Sequence, residues 1–193
     1  MGNLVSFTKP RSDVTNYHAL SALDIDKKNV DFSSLNGKVW QRLSPQQGFC
    51  VAAASAQTKH ASAFCCQCLE SLTAVNYKEF TVLQDKYGEQ GLIIQAFPCN
   101  QFAFQEPGTN DQIKKFAEEH GFKGLLMDKI KVNGSDACPV YNFLKVASGD
   151  ASPIAWNFAK FLVRRDGTVA GRWGPRTSPC ALERQIQECL GSS

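Results

Sequence analysis

Hydrophobic positions from residue 72 onward follow the periods of helices and strands. One helix is indicated by four large residues at helical spacing: Tyr77, Phe80, Leu83 and Tyr87. Gly88 follows them as an end signal. The mostly apolar run Leu92–Phe97, ended by Pro98, is typical of a buried central strand. The pattern therefore predicts a helix followed by a strand.

Two further helices have start and stop signals. Thr109 and Gln112 form a capping-box pattern, and Gly121 is the stop signal of that helix. A final helix is predicted to open at Ser178 and Pro179 and to end at Gly191. Its apolar face would consist of Leu182, Ile186, Cys189 and Leu190.

A β-hairpin is predicted for residues 158–174, FAKFLVRRDGTVAGRWG, where Asp166 and Gly167 supply a tight turn between two alternating strands. A short β-segment is expected near Lys129–Val132. A helix and a strand, followed later by a hairpin and a closing helix, form a thioredoxin-like layout with helices on both sides of one sheet. The sequence therefore predicts the α/β class.

Composition narrows the classes of function. The chain has 193 residues, 43% of them hydrophobic, which suits one soluble domain. Its net charge of +3 is too small to indicate a nucleic-acid partner. No apolar run approaches the ~20 residues that a membrane helix needs.

Residues 1–16 are polar and are expected to be flexible, with a single domain over residues 17–193. We expect no secretory signal. Gly2 and Ser6 match the N-myristoylation pattern, and an unmodified N-terminus is the alternative. One such lipid would give only weak membrane contact. The eight cysteines lack regular spacing, so we interpret them as thiols of a reducing compartment and expect a cytoplasmic protein.

Three segments carry chemically distinctive residues: Ser71–Phe80 (SLTAVNYKEF), Phe97–Gly108 (FPCNQFAFQEPG) and Ala155–Val163 (AWNFAKFLV). In these, and in KIKVNGSDA and the RDGTV hairpin, the chain resembles the glutathione peroxidases from Leu72 to about Leu190. Tyr17–Val39 is similar to the family's opening hairpin and first core strand. The resemblance implies a thioredoxin-like fold with a central mixed sheet, flanking helices and an N-terminal β-hairpin.

The resemblance also implies a thiol-dependent peroxidase of the response to oxidative stress. It would reduce hydrogen peroxide or organic and lipid hydroperoxides, with glutathione or another thiol as reducing co-substrate and with no cofactor. The family surrounds an anionic sulfur or selenium with a Gln, a Trp and an Asn, which by motif are Gln105, Trp156 and Asn157. Their N–H groups donate hydrogen bonds, which favour the anion and stabilise the departing oxygen.

The segment that should carry the nucleophile departs from the family. Residues 41–71 are rich in Ala, Ser, Gln and Cys and show neither period, and Pro45 with its polar neighbours is not expected in a central strand. Counting back from Thr73 puts Glu70 at the nucleophile position, where a carboxylate cannot do this chemistry. Cys68 is the nearest substitute and our candidate nucleophile; the alternative is an incidental thiol.

This contiguous departure leads to a hypothesis about the gene. The natural transcript would encode selenocysteine through an in-frame UGA codon, and the assigned exons would skip it. Residues 41–71 would then be an artefact rather than a real replacement. We expect no metal site, although zinc is the alternative for one group of residues: Cys50, His60, Cys65, Cys66 and Cys68.

Regeneration and assembly are also inferred from the resemblance. Thioredoxin-dependent relatives have a resolving Cys where this chain has Glu118, and Cys99 is expected to be structural, so a small thiol is the expected reductant. The loop before Trp156 is short, as in the monomeric phospholipid-hydroperoxide type, so we expect a monomer. Ala155 stands where those relatives have a Lys.

A basic group is also close in sequence to these motifs: Lys160, Arg164, Arg165, Arg172 and Arg176. It would attract anionic thiols or form a solvated hairpin face. Two rival functions stay open. One is a peroxidase-like scaffold that has lost its nucleophile and binds partners. The other is a general thiol-disulfide oxidoreductase that uses Cys65, Cys66 and Cys68. It ranks last because we interpret this segment as lacking the C-x-x-C followed by a helix that such enzymes use.

Overall fold

The computed structural model describes residues 14–35, 49–54 and 66–191, with side chains at 14–35 and 72–191. The described strands and α-helices, in chain order, are β1 (Ser21–Leu23), β2 (Asn29–Asp31), β3 (Phe49–Ala54), α1 (Cys66–Tyr87), β4 (Leu92–Phe97), α2 (Asn110–Glu119), β5 (Leu125–Leu126), α3 (Pro139–Ala147), β6 (Lys160–Val163), β7 (Val169–Trp173) and α4 (Glu183–Gly191). Among these helices, none combines the length and the apolar character needed to cross a bilayer.

Five of the strands form one mixed sheet, in the order β5-β4-β3-β6-β7. β3, β4 and β5 are parallel, whereas β6 and β7 run antiparallel to their neighbours. β1 and β2 form a separate antiparallel hairpin, as the resemblance implied. The prediction of a thioredoxin-like α/β fold with a central mixed sheet is confirmed.

Each face of the sheet has its own core, because successive residues of β6 point to opposite faces. Phe161 packs in the core that contains Tyr141 of α3. Leu162 packs in the core that contains Phe80 of α1 and Ile186 of α4. Helices therefore cover both sides of the sheet, and β6 is buried at all four of its positions rather than alternating as predicted.

The segments with strong local signals form as predicted. β4 has the predicted bounds. At the start of α2, Thr109 accepts a hydrogen bond from the Gln112 amide, and Gln112 Oε1 accepts one from the Thr109 amide at 2.8 Å. Gly121 follows α2 with a φ of 69°, the left-handed conformation that ends many helices.

The hairpin turn differs from the predicted one. The Arg164 amide donates to the Thr168 carbonyl at 2.7 Å, and the Gly167 amide donates to the Arg164 carbonyl at 2.9 Å. Arg165 and Asp166 are thus the central turn residues, and Gly167 follows with a φ of 81°. This is a longer turn with a left-handed glycine rather than a two-residue turn.

Two elements lie outside the predicted positions. The short parallel strand is β5 rather than residues 129–132. Leu125 and Leu126 pair with Gln95 and Ala96 of β4, whereas residues 129–132 form no strand. α3 was not predicted, although Pro139 at its first position is a helix-start signal.

The central strand β3 lies within residues 41–71, the block in which the sequence pattern predicted no helix or strand. It pairs with all six residues of β4, from Phe49 opposite Leu92 to Ala54 opposite Phe97. α1 begins at Cys66, so its first residues also fall within 41–71. A strand that pairs on both sides needs no alternating pattern, so its short Ala-rich sequence carried little local signal.

Candidate active site

Three parts of the chain meet at one edge of the sheet. The carboxyl ends of β3 and β4 are adjacent, because Ala54 pairs with Phe97. β6 is antiparallel to β3 and starts at the same edge, with Lys160 opposite Ala53. The loop after β4, the segment before β6 and the chain that leads from β3 to α1 therefore start or end here. Open α/β sheets place their sites at this edge.

Gln105 and Asn157 are joined directly at this edge. Asn157 is 1% exposed, and its Nδ2 donates a hydrogen bond to Gln105 Oε1 at 2.8 Å. Both side chains are primary amides, and a primary amide carries two N–H donors. Amide donors are a type of group that stabilises an anion.

The Trp156 ring packs against Phe102, which lies in the loop that carries Gln105. Its ring centroid lies 6.1 Å from that of Phe102, with the rings tilted by 45°. Phe102 is buried in the core and Trp156 is half-buried against that core. Phe158 has a left-handed φ of 59°, so the chain turns sharply between Asn157 and the start of β6. The indole N–H can only donate, which matches the chemistry of the two amides.

The loop after β4 is held by one hydrogen bond within the loop and one from Lys129. The Glu106 amide donates to Asn100 Oδ1 at 2.9 Å, and Lys129 Nζ donates to the Gly108 carbonyl at 2.5 Å. Ala103 and Phe104 both have left-handed φ values, 49° and 54°. These constraints fix the backbone on both sides of Gln105.

Arg172 of β7 holds the loop before Trp156. Its guanidinium donates to the carbonyl oxygens of Asp150 at 2.7 Å, Ser152 at 2.9 Å and Pro153 at 3.0 Å. It also pairs with the Asp150 carboxylate at 3.1 Å, and its side chain is 13% exposed. The donors of Arg172 therefore bind this loop, so its guanidinium is not part of the solvated hairpin face that was one alternative for this basic group.

Lys160 is also buried, with 0% of its surface exposed. Its Nζ lies 6.0 Å from the ring centroid of Phe158, and no hydrogen-bond partner for it occurs among the described residues. Burial lowers the pKa of Lys160 to about 8, and the carboxylate of Glu79 opposes that shift. Lys160 is therefore no part of a solvated basic face either.

Comparison with known proteins decides the family. The sequence model of the family "Glutathione peroxidase" matches residues 46–145. The chain is 53% identical to "Glutathione peroxidase 1, mitochondrial" of Chlamydomonas reinhardtii, over 100% of this chain and 87% of that protein. The chain belongs to the glutathione peroxidase family.

Other glutathione peroxidases support this assignment. The chain is 40% identical to "Phospholipid hydroperoxide glutathione peroxidase 1, chloroplastic" of Arabidopsis thaliana, over 91% of this chain and 66% of that protein. The crystal structure of T. cruzi GPX1 superposes with a TM-score of 0.65 at 28% identity, over 92% of this chain and 97% of that one. A Sco protein, with a TM-score of 0.56 at 16% identity, shares the fold alone.

A glutathione peroxidase needs an anionic nucleophile, and the cysteines with described side chains are unsuited to that role. None of the four forms a disulfide: Cys99, Cys138, Cys180 and Cys189. Burial raises the pKa of Cys99, Cys138 and Cys189. Burial and the neighbouring Glu79 raise the pKa of Cys180 to about 11. The buried Cys99 fits the structural role expected for it.

The structure places two of the three predicted polar residues in direct contact and the third beside the same loop. Gln105 and Asn157 are hydrogen-bonded, and Trp156 contacts the Gln105 loop. Cys68 and Glu70 have backbone positions in α1, but their side chains lie outside the described residues. Gly2 lies outside the described residues altogether, and so do His60 and Cys65 of the zinc alternative. The sequence did not predict the contact between Arg172 and the loop. It also did not predict the burial of Lys160, for which the only signal was a charged residue next to the apolar residues of KFLV.

Proposed function

We propose that this chain is a thiol-dependent peroxidase in which Gln105, Trp156 and Asn157 form the polar part of the active site. The observation that carries the proposal is the hydrogen bond from Asn157 to Gln105, because it joins the two most specific family motifs at the edge where β3 ends. The reaction is the reduction of hydrogen peroxide or organic hydroperoxides, including lipid hydroperoxides, in the response to oxidative stress.

The chemistry proceeds in two stages. A thiolate or selenolate attacks one peroxide oxygen, the O–O bond breaks, and the departing oxygen takes up a proton and leaves as water or an alcohol. The nucleophile is now at the sulfenic or selenenic level. One thiol then displaces water to form a mixed disulfide or selenenyl sulfide, and a second thiol releases the enzyme and leaves as a disulfide. Glutathione or another small thiol supplies both electrons and no cofactor takes part.

The polar residues act on charge in both stages. The amide donors of Asn157 and Gln105 and the indole N–H of Trp156 favour the anionic nucleophile over its protonated form. The same donors stabilise the negative charge that develops on the departing oxygen. Because Asn157 is buried and bonded to Gln105, its amide needs little rearrangement during the reaction.

Cys68 is the proposed nucleophile of this chain. Its backbone lies in the first turn of α1, which begins at Cys66, and a helix N-terminus lowers the pKa of a thiol there. The interpretation that this segment lacks a C-x-x-C followed by a helix is wrong, because Cys65 and Cys68 have that spacing in the sequence and α1 begins at Cys66. A thiol-disulfide oxidoreductase therefore becomes the second candidate function.

A coupled peroxide assay on the purified chain separates these functions. Peroxide-dependent oxidation of glutathione that is lost in Cys68→Ser supports the peroxidase. The matched control is Cys180→Ser, which changes the half-buried thiol of raised pKa and should keep activity. Reduction of an insulin disulfide without peroxide consumption indicates the oxidoreductase. Absence of both activities leaves a scaffold that lacks its nucleophile.

The proposal extends to assembly and location. A short loop before Trp156 supports a monomer, which light scattering in solution would test.

Myristoylation at Gly2 would give weak membrane contact, testable by vesicle sedimentation of the acylated chain. We propose a reducing compartment. The cytoplasm is our expectation, but the Chlamydomonas relative is named a mitochondrial protein, so imaging of the tagged chain is needed to decide between them.

A further inference from the structure

The segment Val132–Asn133 lies between the two loops of the active site. On one side it binds Gln101, which belongs to the loop of Gln105. Gln101 Oε1 accepts hydrogen bonds from the Val132 amide at 2.7 Å and from the Asn133 amide at 3.0 Å. Gln101 Nε2 donates to the Asn133 carbonyl at 2.9 Å. One side chain thus satisfies three backbone groups of this segment.

On its other side the same segment binds the chain that leads to Trp156. Asn133 Nδ2 donates to the Ile154 carbonyl at 2.8 Å, and Asn133 Oδ1 accepts from the Ile154 amide at 2.8 Å. An amide that binds both the N–H and the C=O of one residue fixes its position and its orientation. Ile154 is 2% exposed, so its backbone has little access to water as a substitute partner.

A third contact ties the segment to the body of the protein. Lys145 of α3 donates from Nζ to the Val132 carbonyl at 3.0 Å, and Val132 itself is fully buried. The segment is therefore fixed to a helix, to the Gln105 loop and to the Trp156 loop. Ile154 is only two residues from Trp156, so a shift of its backbone would be passed on to Trp156 and Asn157.

We propose that Asn133 is a positioning residue of the active site, which sets where Trp156 and Asn157 lie relative to Gln105. The inference rests on the proposed function for its catalytic consequence, but its structural part stands on contacts that do not involve the nucleophile. Gln101 completes the connection from the other loop. The pair acts through Trp156, Asn157 and Gln105 and touches no reacting atom.

The test compares two substitutions at Asn133 with a matched control. Asn133→Leu keeps the size and removes both hydrogen bonds to Ile154, whereas Asn133→Asp keeps only the acceptor. Asn142→Leu is the control, because Asn142 is also a half-buried amide but donates to the Ala137 carbonyl at the start of α3. Each variant is made in the full chain and in a background with Trp40→Phe and Trp173→Phe, so that Trp156 alone reports by fluorescence.

Two readouts do not depend on turnover. Asn133→Leu should raise the hydrogen-exchange rate of the Ile154 amide about tenfold, as expected for the loss of a hydrogen bond, and should increase acrylamide quenching of Trp156. Asn133→Asp should keep the Ile154 amide protected and still alter Trp156 quenching, because a carboxylate repels the Ile154 carbonyl. Asn142→Leu should change neither. Unchanged exchange and quenching in Asn133→Leu would overturn the proposal.

A third readout separates this inference from the proposed function. If the native chain reduces peroxide, Asn133→Leu should lower kcat/KM for peroxide about tenfold and leave the KM for the thiol unchanged. Normal kcat/KM despite altered Trp156 quenching would refute a role in positioning for catalysis. If the native chain shows no turnover, the proposed function fails, while exchange and quenching still decide whether Asn133 positions Trp156.

Discussion

The Asn157 side chain donates a hydrogen bond to the Gln105 side chain at 2.8 Å, across 52 positions of sequence. We expect this pair to be energetically coupled, with a coupling energy of about 0.5–1.5 kcal/mol in a double-mutant cycle. The cycle uses Gln105→Ala, Asn157→Ala and the double variant, with unfolding measured in urea. The control cycle combines Gln105→Ala with Asn142→Ala, because the Asn142 side chain donates to the Ala137 carbonyl and not to Gln105. Equal coupling in the two cycles would contradict the assigned contact.

Because Lys160 is buried, we expect the free energy of unfolding to rise with pH in the alkaline range. Its pKa is about 8 in the folded chain and 10.5 in the reference state, so the unfolded chain binds more protons between these values and stability rises across that window. Lys160→Met removes this penalty. At pH 7 the variant should be more stable by up to about 3 kcal/mol, and the gain should vanish near pH 10.5.

Urea unfolding of the native chain and of Lys160→Met, at pH 7 and at pH 10, measures this effect. Lys115→Met is the control, since Lys115 is exposed on α2. A destabilised Lys160→Met at pH 7 would show that the ammonium has a partner stronger than the cost of its burial.

Replacement of Arg172 is expected to loosen the loop that it binds before Trp156. Lys cannot replace it, because one ammonium cannot reach three carbonyl groups in the way a planar guanidinium does. We expect Arg172→Lys to lower the free energy of unfolding by about 2 kcal/mol and to speed proteolysis at residues 149–154. Arg184→Lys, at a surface pair whose Arg side chain is 86% exposed, should change little. Equal protease resistance in both variants would argue against the Arg172 contacts with the loop.

Phe104 is 81% exposed and has a left-handed φ of 54°, a conformation that costs a bulky residue about 1–2 kcal/mol. Asn adopts this conformation more readily. Phe104→Asn should therefore stabilise the chain by about 0.5–1 kcal/mol in thermal unfolding. Val146→Asn, at an exposed position of α3, should give no gain because Asn is a poor helix former. A destabilised Phe104→Asn would indicate that the aromatic ring makes a stabilising contact.

The block at residues 41–71 has a direct test in cells. The hypothesis that the assigned exons skip a selenocysteine codon predicts that its tryptic peptide Leu43–Lys59 is absent from digests of the native protein. Peptides that flank the block serve as the positive control in the same digest. Firm detection of Leu43–Lys59 would show that the block is expressed and would leave Cys68 as the nucleophile to test.

Local signals predicted the elements whose pattern is periodic. β4 and α2 were predicted because a buried run ended by Pro98 and a capping box each specify backbone conformation within a few residues. Gln105, Trp156 and Asn157 were placed at the site by the motif resemblance rather than by periodicity. β3, β5 and α3 were missed or misplaced, since their sequences gave weak or misread signals.

The sequence by itself determined the fold class and the family, and it predicted which polar residues form the site. Only the tertiary structure decided that Asn157 binds Gln105, that Asn133 holds Ile154, and that Arg172 and Lys160 are withdrawn from the surface. The physical reason is that periodicity reports which face of an element is apolar. Partners from distant segments are brought together by strand order and by burial, which no local stretch of the chain encodes.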